Sequence, residues 1–187
     1  MSNILIILAS GRSKRFKDKS LKQFINYKNK PLYQHSIDKA LKSKIFNKII
    51  VVSNKLNIDI RNYPKFVKKI KGGKERSDSS LIGLRYVKKF KPKNVLIHDA
   101  ARPNFSINLL KKLMNLLKKN RAVIPVVNSK DSAKYVIKNH FYNLDKNKIL
   151  LTQTPQAFRF NDLYKLAINQ KEKISDEASL FINNNYK

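Results

Sequence analysis

Short apolar runs alternate along this chain with stretches in which apolar residues recur every three to four positions. Ile4–Leu8 is an unbroken apolar run and predicts a buried strand over Asn3–Leu8, which breaks at Ser10-Gly11. Pro31–Lys42 predicts a helix with Tyr33, Ile37, Ala40 and Leu41 on one face. Lys48–Ser53, built on Ile49 to Val52, predicts a second strand, and Phe66–Ile70 a weaker one. Ser77–Lys89 reads as a helix with Leu81, Leu84 and Val87 inward, and Asn94–His98 as a strand. Ser106 is placed to cap a helix striped by Leu110, Leu113, Met114 and Leu117. Ala122–Val127 is expected to be one further strand.

The pattern then changes. Ala133–Ile137 and Phe141–Leu144, joined through Lys138-Asn139-His140, predict a hairpin with polar residues on both sides. Such a pair suits a projecting arm better than a core, so an arm is expected at about residues 129–150. Leu150–Thr152 leads the chain back to Pro155, Asn161–Gln170 predicts a helix, and Ser175 is placed to open the last one. Strands that alternate with helices imply βαβ units. The fold class is therefore α/β, one domain over 1–187, with a mainly parallel sheet flanked by helices. Ligands in such sheets bind beyond the carboxyl ends of the strands.

Composition changes this picture little. The 187 residues carry a formal charge of +29, which raises nucleic-acid binding as a class. Yet the lysines are spread over nearly every segment among Asn and Ile, as in a compositionally biased proteome. No zinc-finger spacing or RNA-binding signature accompanies them, so no specific nucleic-acid partner is expected. The chain has no cysteine, which excludes disulfides and thiolate chemistry and suits a reducing cytoplasm. No apolar run reaches membrane-spanning length, so no membrane partner is expected.

Glycine is informative because it is scarce. Only four are present, where a chain of this length would carry roughly a dozen. Gly11 lies in the loop that follows the first strand, with Arg12, Lys14 and Arg15 close behind; Gly72 and Gly73 precede a helix. Glycine permits positive φ or a close approach to the backbone, and free N–H groups beside cations suit phosphate. Asp99, at the end of the strand Asn94–His98, is a Mg²⁺-ligand candidate, because that ion takes one or two carboxylates together with phosphate oxygens and water. Capping a turn or pairing with Arg102 is the alternative role. Arg15 and Lys22 are candidates for stabilising charge in a phosphoryl or nucleotidyl transfer. Thr154 and Ser175 are polar where apolar residues would be expected, and could serve a second phosphate or simply a turn and an N-cap.

Taken in order, these segments resemble the 2-C-methyl-D-erythritol 4-phosphate cytidylyltransferases. The resemblance is carried by Ala9-Ser10-Gly11 to Arg15-Phe16, Lys22-Gln23-Phe24, Gly72-Gly73 with Glu75-Arg76 and Asp78-Ser79, His98 to Pro103, Thr154 to Phe158, and Ser175 to Ser179. It implies a Rossmann-like nucleotidyltransferase fold and a homodimer joined through the β-arm. It implies that CTP lies over Ala9, Ser10, Gly11 and Ala100, with cytosine read near Gly73, Lys74 and Ser79. Arg15 and Lys22 would stabilise charge at the α-phosphorus, and Asp99 would help position Mg²⁺ and substrate. Arg102, Ser132, Lys146, Thr154 and Ser175 would surround methylerythritol phosphate, with Ser132 reaching in from the partner's arm. The substrate phosphate would attack in line and release pyrophosphate.

The chain departs from the family pattern in places. Lys146 stands where an arginine is usual, and Ser132 and Ser175 where threonine is common. The chain stops at Lys187, before the family's usual Asn-Ile-Lys segment, so a missing end or a fusion to a cyclodiphosphate synthase is expected. Two alternatives remain. One is a ribitol-5-phosphate cytidylyltransferase, against which Ala100-Ala101 argues; the other is a non-catalytic basic binding protein on the same fold.

Overall fold

The computed structural model describes residues 2–11, 21–54, 58–170 and 174–184. The strand β1 (Asn3–Leu8) is followed, after a 3₁₀ turn at Lys22–Phe24, by a two-residue hairpin of β2 (Asn26–Tyr27) and β3 (Lys30–Pro31). Helix α1 (Leu32–Ser43) leads to β4 (Lys48–Val52) and β5 (Val67–Ile70). Helix α2 (Arg76–Lys88) then leads to β6 (Asn94–Asp99), and α3 (Ile107–Leu116) to β7 (Ala122–Val123). An excursion formed by β8 (Val126–Asn128), β9 (Ala133–Ile137), β10 (His140–Leu144) and β11 (Leu150–Thr152) follows. The chain returns through β12 (Gln156–Arg159) to α4 (Phe160–Asn169) and α5 (Ala178–Asn183).

The central sheet has the order β5-β4-β1-β6-β12-β7. β5, β4, β1 and β6 are parallel, and β12 runs antiparallel between β6 and β7. Alternate side chains of β1 enter two different cores, as the period of two requires. Leu5 and Ile7 pack with Tyr33, Ile37 and Ala40 of α1 and with Leu110 and Leu113 of α3. Ile4 and Ile6 pack with Leu84 and Val87 of α2, Leu163 of α4, and Leu180 and Phe181 of α5. The α/β class and the mainly parallel sheet expected from the sequence are thus borne out. No helix among the described residues is long and apolar enough to cross a membrane.

Three expectations need correction. Ala122–Val127 is two strands, not one. Pro125 has no N–H to donate, and its carbonyl accepts from the Gln153 N–H at 2.8 Å as the chain leaves the main sheet. β8 then pairs with β11 instead, so the arm is rooted from Val126 to Thr152. β12 was not foreseen, because its short Gln156-Ala157-Phe158-Arg159 sequence shows no strand pattern. Its Gln156 is buried all the same, donating to Asp176 at 2.8 Å. The last helix begins at Ala178, and Asp176 takes the part expected of Ser175, accepting from the Ser179 N–H at 3.1 Å.

None of the glycines has positive φ, and Gly72, Gly73 and Gly83 work through their small size. That conformation is taken by Lys28, Asn29, Lys44, Lys91, Lys138 and Asn139. Lys28-Asn29 and Lys138-Asn139 turn the β2–β3 and β9–β10 hairpins, where two consecutive left-handed residues match the strand twist. A Cβ at Gly83 would lie 2.9 Å from Ile6 Cγ2 and 3.4 Å from Val52 Cγ2, so this glycine lets α2 sit down on the sheet. Gly83→Val should therefore destabilise the fold by about 1–3 kcal/mol, the usual cost of overpacking. A drop in the urea midpoint would show it, and an unchanged midpoint would mean that α2 can lift without loss.

Candidate active site

The parallel register brings the informative loops together. Leu8 pairs with Val52 on one side and Asp99 on the other, so β1, β4 and β6 end level. The Ala9 N–H donates to the Val52 carbonyl at 2.8 Å, and the Ala100 N–H to the Leu8 carbonyl at 3.0 Å. Ala9-Ser10-Gly11 and Asp99-Ala100 therefore leave the same sheet edge side by side. β1 connects toward β4 across the α1 face, whereas α2 precedes β6 on the opposite face. The crevice lies at this reversal of winding, where open α/β sheets bind ligands.

The Gly72-Gly73 loop is tied to this edge through one hydroxyl. Ser79 Oγ is buried, accepts from Ser10 Oγ at 2.6 Å and from the Gly73 N–H at 3.0 Å, and donates to the Glu75 carbonyl at 3.0 Å. A Cβ on Gly72 would stand 2.7 Å from Ser10 Cβ, and one on Gly73 2.3 Å from Asp78 Cβ, so neither position takes a larger residue without a shift. Asn54 Nδ2 donates to the Gly73 carbonyl at 2.7 Å. On the other side, buried Gln23 donates to the carbonyls of Ala9 and Gly11, each at 2.9 Å. This keeps exposed Lys22 next to the Gly11 loop. Among the described residues, a Cβ at Gly11 would meet nothing within 4 Å.

Asp99 stands at the centre of an ion cluster. Its Oδ1 accepts from Arg76 Nε at 2.9 Å, and its Oδ2 lies 3.5 Å from Arg102 Nε. Arg76 turns its other two nitrogens to Glu177, at 2.9 and 3.0 Å. Burial disfavours the Arg76 charge, but Glu177 and Asp99 outweigh it and hold the guanidinium more firmly protonated than a free arginine. Arg102 is exposed and also donates to Gln153 Oε1 at 3.1 Å.

Behind Asp99 lies a neutral relay. His98 is fully buried; its Nε2 meets Ser36 Oγ at 3.1 Å and its Nδ1 meets Thr154 Oγ1 at 3.0 Å. Thr154 Oγ1 in turn accepts from the Asp99 N–H at 3.3 Å. Burial lowers the His98 pKa to about 3; Asp99 opposes this, and Arg102 and Lys39 add to it. Near Ser175, burial raises the Asp176 carboxyl, but hydrogen bonds from Gln156, Ser179 and Thr152 prevail and hold it below its ordinary value. Ser175 itself is exposed and lies 3.1 Å from Ser179 Oγ.

The family model described as 2-C-methyl-D-erythritol 4-phosphate cytidylyltransferase matches residues 3–184. The chain belongs to this family. A bifunctional enzyme IspD/IspF of Pelagibacter ubique is 46% identical over 97% of the chain, which spans 50% of that relative's length. The 2-C-methyl-D-erythritol 4-phosphate cytidylyltransferase of Caldicellulosiruptor bescii is 35% identical over 88% of the chain and 76% of its own length. Among solved structures, the 4-diphosphocytidyl-2C-methyl-D-erythritol synthase of Anaerococcus prevotii superposes with a TM-score of 0.84 at 26% identity, covering 98% of this chain and 84% of its own. The bifunctional IspDF of Campylobacter jejuni gives 0.83 at 28% identity, covering 98% of this chain and 47% of its own. The fold and the enzyme class implied by the motifs are those of the cytidylyltransferase family.

The structure gathers Ala9, Ser10, Gly11, Gly73, Ser79, Asp99, Ala100, Arg102 and Thr154 at one edge, with exposed Lys74 in the loop beside Gly73. Ser175 joins them through the segment that carries Glu177. Arg15 lies outside the described residues. Ser132 and Lys146 lie exposed on the arm, and no hydrogen bond or ion pair among the described residues links them to the Asp99 cluster of their own chain. Among the described residues, no group of three or more His, Asp and Glu could hold a metal unaided. One carboxylate suffices for Mg²⁺ beside substrate phosphates, and Asp99 fits: it is 25% exposed, and among the described residues only a long contact engages its Oδ2.

His98 is the packed strand-end residue that its position suggests. Sequence reasoning gave no roles to Gln23, Arg76 or Glu177. Only burial reveals Gln23; the scarcity of arginine and of acids points to Arg76 and Glu177. The His98 environment sets a pH dependence. Unfolded histidine titrates near 6.5, so between that pH and about 3 the unfolded chain binds a proton that the folded one refuses. The His98 contribution is complete above about pH 6.5 and is lost as pH falls. Unfolding measured from pH 7 to 4 should show His98→Asn losing stability less steeply than the parent, by at most about 1.4 kcal/mol per pH unit. Parallel pH profiles would contradict the neutral assignment.

Proposed function

We propose that the chain transfers CMP from CTP to 2-C-methyl-D-erythritol 4-phosphate, giving 4-diphosphocytidyl-2-C-methyl-D-erythritol and pyrophosphate. The observation that carries this reading is the meeting of the Gly11 loop, the Gly72-Gly73 loop and Asp99 at one sheet edge, held by Ser79 and the β1–β6 register. CTP lies over Ala9, Ser10, Gly11 and Ala100, with its base beside Gly73, Lys74 and Ser79. Arg102, Thr154 and Ser175 face the acceptor. An acceptor phosphate oxygen attacks the α-phosphorus, the bond to the pyrophosphate oxygen breaks, and no covalent enzyme intermediate forms.

Arg15 and Lys22 stabilise the charge that gathers on the nonbridging oxygens. Asp99 would hold Mg²⁺ through its more open oxygen, and the ion would neutralise phosphate charge. The arginine pair fixes that carboxylate before substrate arrives. With cysteine absent, a reducing cytoplasm is the compartment proposed.

Purified protein should release pyrophosphate from CTP and methylerythritol phosphate in a Mg²⁺-dependent manner, and far less with ribitol 5-phosphate. Asp99→Asn should lower turnover by orders of magnitude, and Arg15→Ala by the equivalent of about 2.7–4 kcal/mol. Equal turnover with ribitol 5-phosphate would overturn the acceptor; no CTP consumption at all would favour a binding protein.

The arm supports a homodimer with a shared site. Val136, Ile137, Phe141, Tyr142 and Leu144 are exposed, Phe141 by 77%, and the stalk exposes Val126, Val127, Leu150 and Leu151. An apolar surface of this extent fits a two-fold partner. Ser132 and Lys146 then act in the partner's site. Mixing Asp99→Asn chains with Ser132→Ala/Lys146→Ala chains should restore part of the activity, because one site in each heterodimer carries no substitution. Confirmed heterodimers without recovery, or a fully active monomer, would refute the shared site.

A further inference from the structure

Arg76 is the first residue of α2 and is rigidly set. The helix starts in a capping box, in which Glu75 accepts from the Asp78 N–H and Asp78 Oδ2 accepts from the Glu75 N–H at 3.0 Å. One turn on, Ser79 anchors the same helix end to Ser10 and Gly73. The Arg76 guanidinium then spends its two terminal nitrogens on Glu177, whose side chain is only 1% exposed. Only Nε remains facing Asp99, and it engages Oδ1 alone.

This orientation has a chemical consequence. A free guanidinium facing a carboxylate tends to take both oxygens in a fork. Glu177 takes the fork here, which restricts Arg76 to one oxygen of Asp99. Among the described residues the second oxygen keeps only the long Arg102 contact, since Arg102 also donates to Gln153 and, at 3.4 Å, to the Thr152 carbonyl. Glu177 acts as a stop, and Arg76 as a one-point hold.

We infer that Arg76 and Glu177 are positioning residues: Glu177 aims the guanidinium so that it fixes one Asp99 oxygen and leaves the other for the active site. This rests on the reading of Asp99 as a catalytic carboxylate. It also joins the two halves of the site, since the helix end that holds the nucleotide loops also holds the acid.

The test is a double-mutant cycle of Arg76→Met and Asp99→Asn, read as kcat at saturating CTP, acceptor and Mg²⁺. Arg76→Met alone should cost about 10²-fold, as a misplaced reacting group does. In the Asp99→Asn background it should cost less than about threefold, because the residue it positions is gone. Glu177→Gln should lower kcat and raise the Mg²⁺ concentration needed for half-maximal rate, an effect that loss of packing alone would not produce. Equal fold-losses of Arg76→Met in both backgrounds would overturn the inference, as would an unaltered Mg²⁺ requirement in Glu177→Gln. If Arg76→Met does not fold, Arg76→Lys, which keeps the charge and loses the fork, takes its place in the cycle. A parent protein that never releases pyrophosphate from CTP would instead sink the cytidylyl-transfer reading. The same four proteins unfolded in urea then still decide whether Arg76 and Asp99 are coupled: additive losses would reject the hold.

Discussion

The register of β1 against its two parallel neighbours is the constraint on which the rest of the structure depends. Leu8 stands level with Val52 and with Asp99, so three strands stop together. A slip of one residue would turn Leu5 and Ile7 into the core that now holds Ile4 and Ile6. Both faces are buried, which makes such a slip expensive. The same slip would carry Asp99 away from the Gly11 loop. Core packing and site geometry are therefore enforced by one set of contacts.

Polar groups near the site follow a similar economy. Gln23, His98, Ser79 and Glu177 are buried, and each is matched to partners that hold backbone or charge in place. Removing one partner of such a pair leaves a desolvated group behind, which costs more than the bond contributes. The sheet edge that carries the candidate site is thus stiffened from beneath by these groups.

Most of this was legible in the sequence because period and punctuation carried it. The apolar runs of β1, β4 and β6 and the stripes of α1 and α3 have lengths and spacings that admit one reading. β12 escaped because two polar residues bracket only two apolar ones, and its pairing with β6 is a tertiary fact. At the site, Asp99 and the glycine loops stood out by residue type and position. Arg76 and Glu177 are 101 positions apart, and nothing local reveals that they meet. The alternative role of Asp99, pairing with Arg102, is realised too, yet at 3.5 Å that contact is long enough to leave an oxygen available.

The hairpin turns carry a quieter consequence. Positions that most chains give to glycine are filled by Lys28-Asn29 and Lys138-Asn139, each in the left-handed conformation. A lysine there bears a steric penalty of roughly 1–2 kcal/mol that glycine would not. The pressure toward lysine and asparagine has thus been accepted as local backbone energy and concentrated at solvent-facing corners. Gly72, Gly73 and Gly83 stand where a methyl group would collide. The chain shows, residue by residue, which of its bends tolerate compositional drift and which do not.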